Sequence, residues 1–365
     1  MKFTCKKNDL LTGVNTVQRT VSNKSTLPIL QGIKIETKNN NLIFEATDLE
    51  IGIHCEIPVT IIENGSVVLP AKLFSDIVRK LPDTEITIDS KENSVMIIYN
   101  ESDFTINGFD PDEFPQISGI LGEETTELSA SLFKNLIKQT IMVCALEESR
   151  PVFTGILIQI EEENINFVST DTHRLAFSKA KITGNKTKFS GIIPSKTMQE
   201  IYRLLPDDEI LKIYFNKSQV VFEFGTIQIM TRIIDGQFPN YKQVIPQTCN
   251  TKLLINTKKF LDLVERASLL SRDNYLKTNT VKFSINDSIL KINQSSEMGK
   301  IFEQMEVNQE GEDLSISYNA KYIIDVLKVV DTENIIMDAS GSFGPSIFKP
   351  ENDDNYLCLV LPLRS

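Results

Sequence analysis

The residues best suited to chemistry are Asp171 and His173, which stand two positions apart in the segment VSTDTHRLA of residues 168–176. If this segment is a β-strand, the two side chains share one face, as an acid–histidine pair must. A serine could complete a hydrolytic triad, but the sequence contains no G-x-S-x-G elbow to present it. We therefore favour a protein that is not an enzyme and keep a hydrolase as an alternative.

Other reactive residues lack the spacing that metal or cofactor chemistry needs. The histidines are His54 and His173 alone, and we expect His54, in the strand-like run IGIHCEI, to be a partly buried structural residue. Gly299-Lys300 is not preceded by the glycine of a nucleotide-binding loop. The acidic run 351–355 indicates a solvated hairpin turn rather than a calcium loop. The cysteines are scattered without a C-x-x-C motif and are expected to be small core hydrophobes: Cys5, Cys55, Cys144, Cys249 and Cys358. We expect no metal ion and no cofactor.

The chain contains an internal repeat of about 124 residues. VLPAKLFSDIVRKL (68–81), IIPSKTMQEIYRLL (192–205) and SYNAKYIIDVLKVV (317–330) share a lysine at the same place, and the first two end in Leu-Pro-Asp. The pairs Thr47-Asp48 and Thr170-Asp171, Gly32 and Gly155, and Phe114-Pro115 and Phe238-Pro239 keep the same spacing. Three copies account for the whole chain, and the third matches least well. The predicted domains are residues 1–121, 127–246 and 251–365.

Each repeat predicts two helices and several antiparallel strands. Apolar residues spaced by three, four and seven predict an amphipathic helix early in each copy, over 9–21, 131–145 and 258–271. The shared lysines begin the second helices, over 72–81, 196–205 and 320–330. Alternating runs split by turn residues, such as Asn39–Asn41 and Asn286-Asp287, predict hairpins. The predicted class is α+β, with helix pairs packed on antiparallel sheets.

Composition is that of an ordinary globular protein, with 41% hydrophobic and 24% charged residues among 365. No stretch approaches the roughly 18 apolar residues of a membrane helix. The N-terminal sequence MKFTCKKNDLL lacks the apolar run of a secretory signal. We therefore expect a cytoplasmic protein that does not bind membranes.

The predicted helices carry a basic charge inside an acidic chain. Five of the six are net positive and none is negative; together they carry +7, which leaves −18 for the remainder of a chain of net charge −11. A shared basic helical surface on an acidic protein suits a polyanion. Its contacts would go to phosphates, which position a protein without reading base sequence.

Four segments resemble the bacterial DNA polymerase III beta subunit family, the sliding clamps: LPILQGIKIE (27–36), VSTDTHRLA (168–176), FPNY (238–241) and LVLPLRS (359–365). The resemblance runs the length of the chain and implies three tandem repeats of the DNA clamp fold. It also implies a head-to-tail homodimer whose ring, lined by helices and surrounded by sheets, encircles double-stranded DNA. Such a clamp is not a catalyst. It tethers the replicative polymerase, is loaded by a clamp loader and docks repair polymerases, mismatch-repair proteins and ligase.

The resemblance implies a pocket for partner peptides between the second and third repeats. Partners of the family carry a polar anchor, commonly glutamine, and apolar residues, which an apolar floor with a polar rim suits. Thr172 replaces a usual glycine and Gln243 a usual arginine, and both are expected to affect the pocket. By position, the pocket comprises Phe153, Thr170, Thr172, His173, Arg174, Leu175, Pro239, Gln243, Val244, Tyr275, Asn319, Tyr322, Phe343, Val360, Leu361, Pro362, Leu363 and Arg364.

The resemblance also implies a dimer contact and a DNA-binding surface. An edge strand with exposed Phe104 and Ile106 is expected to meet Leu269 and Leu270 of the second copy, because unpaired apolar edges need cover. Lys24 lies in the loop before Thr26-Leu27-Pro28, where the family has a basic DNA contact. The full DNA-binding set is Lys24, Arg79, Lys80, Lys134, Lys138, Arg150, Lys196 and Arg203.

Two alternatives to a clamp remain at this point. One is a repeat-built scaffold that binds peptides but never DNA. The other is the hydrolase based on Asp171 and His173.

Overall fold

Helices form close to their predicted positions in the residues that the computed structural model describes, which are 1–21, 27–117, 124–147, 149–184, 187–270, 279–296 and 299–363. Among these residues the α-helices are α1 (Lys7–Val17), α2 (Ala71–Lys80), α3 (Ala130–Thr140), α4 (Ser195–Leu204), α5 (Thr257–Ser268) and α6 (Ala320–Leu327). The predicted ends of α1 and α3 are too late, because 3-10 turns over Gln18–Thr20 and Ile141–Val143 follow them. The apolar spacing continues through these turns and so did not mark the end of either helix.

The helix ends have local causes. Pro82 and Pro206 each come two residues after the last residue of α2 and α4, and proline disfavours helical backbone at the residue before it. Asn256 and Asn319 cap the starts of α5 and α6, each side chain accepting a hydrogen bond from a first-turn amide.

The chain divides into two compact units. The first comprises Met1–Ser131 and Arg203–Ile233. Its strands form a five-stranded sheet, in the order β5-β1-β7-β8-β9, and an eight-stranded sheet, in the order β10-β15-β16-β17-β4-β3-β2-β6. These strands are β1 (Lys2–Lys6), β2 (Gly32–Lys38), β3 (Asn41–Thr47), β4 (Ile51–Pro58), β5 (Thr60–Glu63), β6 (Gly65–Pro70), β7 (Glu85–Lys91), β8 (Ser94–Tyr99), β9 (Ser102–Asn107), β10 (Glu124–Ser129), β15 (Ile210–Phe215), β16 (Gln219–Phe224) and β17 (Ile227–Arg232).

The second unit comprises Leu132–Tyr202 and Ile234–Ser365. It has a nine-stranded sheet, in the order β14-β11-β12-β13-β26-β25-β24-β18-β22, and a four-stranded sheet, in the order β21-β20-β19-β23. Its strands are β11 (Gly155–Glu161), β12 (Asn164–Thr170), β13 (Arg174–Lys181), β14 (Phe189–Pro194), β18 (Thr251–Asn256), β19 (Thr280–Asn286), β20 (Ile289–Ser296), β21 (Gly299–Glu306), β22 (Asn308–Gly311), β23 (Leu314–Asn319), β24 (Asn334–Ala339), β25 (Ser346–Pro350) and β26 (Tyr356–Val360).

The two largest sheets each join strands from different repeats. In the first unit β17 pairs antiparallel with β4, and in the second β26 pairs antiparallel with β13. Together with the helix pairs, this antiparallel arrangement confirms the predicted α+β class.

Hairpin turns form near the predicted turn residues. Asn39 and Asn40 have φ of 51° and 64° and join β2 to β3, as a two-residue turn of left-handed residues does. The turn predicted at Asn286-Asp287 lies one residue later, at Asp287 and Ser288, whose φ values are 53° and 61°. The acidic run 351–355 is also a turn, between β25 and β26.

The segment 168–176 is not a continuous strand, contrary to the prediction. β12 ends at Thr170 and β13 begins at Arg174, so Asp171 and His173 lie in the turn between them. The sequence did not reveal the turn, because residues 169–174 are all polar and Thr172 occupies the left-handed position that normally calls for glycine.

Each unit buries its own apolar core. In the first, α1 packs so closely on β3 that a Cβ at Gly13 would overlap the Phe44 ring. In the second, Phe260, Phe283, Tyr318 and Phe348 form a chain of ring contacts with centroids 5.4–6.0 Å apart. None of the described helices is long and apolar enough to cross a membrane.

Candidate functional site

The turn between β12 and β13 lies at the centre of the candidate site. Asp171 Oδ1 accepts hydrogen bonds from the amides of His173 and Arg174, each at 3.0 Å. Thr170 Oγ1 donates to the Arg174 carbonyl at 2.8 Å and accepts from the Thr172 amide at 3.2 Å. Because the Thr and Asp side chains satisfy the turn's own backbone groups, this dipeptide determines the shape of the turn.

The first unit contains the same turn between β3 and β4. Thr47 Oγ1 donates to the Ile51 carbonyl at 2.9 Å and accepts from the Leu49 amide at 3.0 Å. Asp48 Oδ1 accepts from the amides of Glu50 and Ile51, at 3.1 and 2.9 Å. Leu49 has φ +77°, the value found at the matching threonine of the second unit. The repeated Thr-Asp pair therefore marks a repeated turn.

The geometry of Asp171 contradicts the acid–histidine alternative. Its Oδ1 binds the two turn amides, and its Oδ2 accepts from Arg174 Nε at 2.9 Å. The carboxylate is thus engaged by the backbone and an arginine instead of by the imidazole of His173, which is exposed on the turn. The expectation that the two side chains share a strand face was wrong, because neither residue is in a strand.

A groove of about 240 Å³ opens beside this turn in the second unit. Leu175 and Leu359 are buried in its floor, together with Tyr241, which donates through Oη to Gln159 at 3.0 Å. Near its mouth Val244 is 55% exposed and Leu361 is 39% exposed. The residues that line it are Phe153, Thr170, Thr172, His173, Arg174, Leu175, Phe238, Pro239, Asn240, Tyr241, Val244, Leu359 and Leu361. An apolar floor with a few polar groups at the edge is suited to a short apolar segment with a polar anchor.

Arg174 lines the groove, but its guanidinium is bound within the protein. Besides Asp171, it donates to Asp325 Oδ2 at 2.7 Å and to the Met142 carbonyl, and its Cζ lies 4.3 Å from the ring centroid of Tyr322. The residue is only 5% exposed. Burial alone would lower the pKa of Arg174, but the hydrogen bonds and charges of Asp325 and Asp171 outweigh it and raise that pKa.

A second cavity, of about 500 Å³, lies against the other side of the same turn. Its residues are Cys144, Ala145, Leu146, Glu147, Ser149, Arg150, Phe153, Asp171, Thr172, His173, Arg174, Lys321 and Tyr322. Phe153, Thr172, His173 and Arg174 line both spaces, whereas Asp171 lines only the second cavity. The turn therefore separates two adjoining concave surfaces.

The structure brings together only part of the predicted peptide pocket. Of the predicted set, the groove contains Phe153, Thr170, Thr172, His173, Arg174, Leu175, Pro239, Val244 and Leu361. Tyr322 lines the second cavity, and Asn319 caps α6. Gln243 is exposed at the end of a 3-10 turn, and Phe343 is 84% exposed in the loop between β24 and β25.

Val360 was predicted to line the pocket, and the structure of the C-terminal segment shows why it does not. Residues alternate along β26, so Leu359 and Leu361 reach the groove while Val360 is fully buried in the main core on the other side. Pro362 and Leu363 are half-buried beyond the strand, where the Leu363 amide donates to the Ser317 carbonyl at 2.8 Å. Tyr275 and Arg364 lie outside the described residues.

Sequence reasoning missed four groove residues. Phe238, Asn240 and Tyr241 lie within the FPNY segment, and Leu359 begins LVLPLRS. Both segments carried the family resemblance, and the period of two along the last strand was the signal that would have selected Leu359 over Val360.

The predicted DNA-binding residues occupy helix ends and exposed faces. Arg79 and Lys80 are exposed in the last turn of α2. Lys134 Nζ lies 5.3 Å from the ring centroid of Tyr202, and Lys138 Nζ contacts Asp331 Oδ2 at 2.9 Å. Arg150, Lys196 and Arg203 are exposed, and Lys24 lies outside the described residues.

The predicted dimer residues lie on and near two sheet edges. β9 is the last strand of the five-stranded sheet, and its Phe104 is 42% exposed and stacks on Tyr99. Ile106 is only 6% exposed, so its expected exposure was wrong, because its side chain packs into its own sheet. Leu269, just after α5, is 66% exposed, and Leu270 is half-buried.

One exposed aromatic residue at these edges was not predicted. Phe302 is 57% exposed on β21, the last strand of the four-stranded sheet. Half-buried and exposed side chains alternate along β21, and Phe302 lies on the exposed face with the polar Lys300, Gln304 and Glu306.

His54 is half-buried, as expected, and lies between two carboxylates of the first unit. Its Nδ1 is 3.2 Å from Glu45 Oε1, and its Nε2 is 3.2 Å from Glu56 Oε1. Burial lowers the pKa of His54, but hydrogen bonds to Glu45 and Glu56 outweigh it and raise that pKa above its ordinary value. This arrangement is that of a structural ion pair. The described residues contain no cluster of three or more His, Cys, Asp or Glu side chains suited to a metal ion.

Four of the cysteines are buried, as expected, and one is not. Burial raises the pKa of the Cys5, Cys144 and Cys358 thiols to about 12 and that of Cys55 to about 11, so they are unreactive as thiolates. Cys249 is exposed, and the expectation of a core position was wrong there, since it lies in the irregular segment before β18.

Comparison with known proteins agrees along the whole chain. Family models of the DNA polymerase III beta subunit match in order: the N-terminal domain over residues 1–118, the central domain over 127–240 and the C-terminal domain over 242–364. The beta sliding clamps of Staphylococcus epidermidis and Staphylococcus aureus are 35% and 34% identical, and each alignment covers 100% of both chains.

Solved structures give the same result. The DNA polymerase sliding clamp of Bacillus subtilis has a TM-score of 0.96 and 35% identity, covering 100% of this chain and 99% of its own. The sliding clamp of Pseudomonas aeruginosa bound to griselimycin has a TM-score of 0.94 and 25% identity, with 100% of both chains covered.

Proposed function

Because the chain belongs to the DNA polymerase III beta subunit family, the bacterial sliding clamps, we propose that two copies close head to tail into a ring around double-stranded DNA. The ring tethers the replicative polymerase and so confers processivity. The observation that carries the proposal is the ordered match of all three family domains over a chain that itself repeats three times. The proposed domain boundaries are 1–121, 127–246 and 251–365.

Two exposed sheet edges support ring closure. β9 and β21 end different sheets, and each carries an exposed phenylalanine, Phe104 and Phe302. An unpaired edge with apolar side chains is stable in solution only when another strand or surface covers it. Because the two edges differ, pairing β9 of one copy with β21 of the next is a head-to-tail contact, which closes into a ring when the rotation fits. Leu269 and Leu270 directly follow α5, which packs against β21, and they extend the apolar surface beside this edge.

The basic helices support contact with DNA phosphates. Exposed Arg79, Lys80, Lys196 and Arg203 lie on or at the ends of helices, whereas the chain as a whole has a net charge of −11. Phosphate contacts are salt-sensitive and independent of base sequence. Enclosure by the ring supplies retention, so weak contacts of this kind allow sliding. Lys24, Lys134, Lys138 and Arg150 complete the proposed set.

The groove beside the turn is the proposed docking site for partner proteins. Its apolar floor suits the leucine and phenylalanine side chains of a short peptide, and the polar groups of Thr172, His173 and Asn240 at its edge suit a glutamine. The proposed partners are the polymerase catalytic subunit, the clamp loader, repair polymerases, mismatch-repair proteins and ligase. The protein acts without catalysis, metal or cofactor, and its proposed location is the cytoplasm.

The first experiment combines solution mass with retention on DNA. Light scattering should give a mass near twice 41.2 kDa. After loading with a clamp loader, the protein should remain on nicked circular DNA and leave when the circle is linearised. A monomer that is retained equally on circular and linear DNA would contradict the ring and favour the peptide-binding scaffold.

A second experiment tests the groove. Griselimycin, which the Pseudomonas aeruginosa clamp binds, should bind this chain, and Leu361→Asp should weaken that binding by placing a charge at the apolar mouth. Ile210→Asp is the control, because it places the same charge at an exposed apolar residue of β15 that does not line the groove. If the wild type and Leu361→Asp bound griselimycin equally tightly, the docking site would have to lie outside this groove.

A further inference from the structure

We propose that Asp325 is a positioning residue for the docking groove. From α6 it binds the guanidinium of Arg174, and through Arg174 it holds the turn that separates the groove from the neighbouring cavity. This inference rests on the proposed function of the groove, because it concerns how that groove binds a partner.

The contacts give Asp325 a specific place. Its Oδ2 accepts from Arg174 Nη1 at 2.7 Å, while Asp171 Oδ2, in the turn, accepts from Nε at 2.9 Å. The two carboxylates therefore hold opposite sides of one planar guanidinium, a geometry that fixes its orientation. Tyr322, one helical turn before Asp325 on α6, packs on the guanidinium face. Through this planar group, α6 is tied to the turn.

Asp325 acts at a distance from any ligand. It is not among the residues that line the groove or the second cavity, whereas Arg174 lines both. The side chain of Asp325 is 21% exposed and that of Arg174 is 5% exposed, so their bond is largely shielded from solvent. A change at Asp325 can therefore reach a docked peptide only by moving Arg174 and the turn.

The matching turn in the first unit shows what Arg174 adds. There the Thr-Asp hydrogen bonds and the left-handed residue recur, although the position of Arg174 is taken by Ile51. The arginine is thus not needed to form the turn. Its two carboxylate partners instead connect the turn to α6, and that connection is present in the unit that has the docking groove.

The test compares three variants of the full-length protein. Asp325→Asn keeps the shape of the side chain and removes its charge, and Asp325→Glu keeps the charge. Asp338→Asn is the matched control: its side chain is 15% exposed and pairs with Lys349 at 3.1 Å, and it does not line the groove. Griselimycin binding is measured by calorimetry, and amide exchange is followed in residues 171–174 and, as an internal reference, in residues 48–51.

Asp325→Asn should bind griselimycin about five- to tenfold more weakly, because residues in one charged network are coupled. Exchange at 171–174 should become faster with no change at 48–51, and Asp325→Glu should recover part of the affinity. A purely global loss of stability would instead speed exchange in both turns. If Asp325→Asn bound griselimycin as tightly as the wild type, or lost no more affinity than Asp338→Asn, the positioning role of Asp325 would be contradicted. The proposed docking groove would not be affected by that result. If the wild-type protein itself did not bind griselimycin, the proposed docking groove would be contradicted as well as the role of Asp325.

Discussion

At the residue scale, the turn of the candidate site includes a threonine in a conformation that suits glycine. Thr172 has φ +77°, a left-handed value that costs an L-residue about 1–2 kcal/mol and is least suited to a β-branched side chain. The side chains of Thr170 and Asp171 accept hydrogen bonds from the amides of the turn and so hold the strained residue in place.

Thr172→Gly should therefore stabilise the protein. The relief of strain exceeds the extra entropy of glycine in the unfolded chain, so we expect a rise in the melting temperature of about 2 °C. Thr172→Ala is the control, because alanine keeps most of the backbone cost without the hydroxyl. The explanation fails if Thr172→Ala stabilises as much as Thr172→Gly in thermal unfolding monitored by circular dichroism.

His54 should make stability depend on pH. The pKa of His54 is raised in the folded protein by Glu45 and Glu56 against the opposing effect of burial, so its contribution is fully present below the unfolded pKa and is lost as pH rises through the folded one. The pKa of Glu45 is lowered, by His54 and Lys34 against the effect of burial. Its contribution is present above its unfolded pKa and is lost as pH falls through the lowered one.

The two effects overlap between about pH 4.5 and 6.5, the ordinary pKa values of the two groups. In that window His54→Gln should be less stable than wild type by about 1 kcal/mol, and the difference should shrink as pH rises above 6.5 and through the raised pKa of folded His54. Urea unfolding at pH 5.5, 6.5 and 8.5 measures it, with exposed His173→Gln as the matched variant. A difference that stays constant with pH would show that the ion pair is not the cause.

How much of the site could be predicted depends on the distance in sequence between its parts. FPNY and LVLPLRS are continuous segments, and they led to Pro239 and Leu361. The bond from Arg174 to Asp325 joins residues 151 positions apart, and no local pattern marks such a partner. Val360 was predicted wrongly although strand alternation excludes it.

At the element scale, helices were predictable because their periodicity is local. The predicted bounds of α2 and α4 are within one residue of the observed bounds at each end. The C-terminal ends were predictable because a proline follows each helix. The segment 168–176 was taken for one strand because its six consecutive polar residues, 169–174, include no glycine or proline to mark the turn in which Thr172 adopts a left-handed backbone. Exposure on an edge strand was also beyond local pattern, as buried Ile106 shows.

The edge strands make a prediction about assembly. Phe104→Asp, on β9, should weaken dimerisation by at least about tenfold, because it places a charge in a contact that buries an aromatic side chain. Ile62→Asp is a close control, since Ile62 is 56% exposed on β5, the opposite edge of the same sheet. Light scattering across a dilution series should show monomer for the first variant and dimer for the second. If both variants remain dimers, β9 is not at the interface.

At the scale of the whole molecule, the sequence repeat and the compact units divide the chain differently. The second repeat contributes β10, β15, β16 and β17 to the first unit and β11–β14 to the second. The repeat was readable from spacing, but spacing does not say which strands pair across a repeat boundary, as β17 with β4 and β26 with β13 do. Long-range pairing is decided by packing of both sheet faces.

The distribution of charge yields the last prediction. Lys134→Glu with Lys138→Glu should impair loading on circular DNA and reduce the salt dependence of binding to linear DNA by about two in slope, one unit for each phosphate that a lysine no longer neutralises. The bond between Lys138 and Asp331 does not prevent this, because an ion pair whose carboxylate is 77% exposed is worth only about 0–1 kcal/mol and a phosphate can replace it. Lys217→Glu with Lys282→Glu makes the same charge change at exposed positions of strands and turns. If the second double variant impairs loading as much as the first, the change in net charge is responsible and not a helical DNA-binding surface. Griselimycin binding should be unchanged in both double variants.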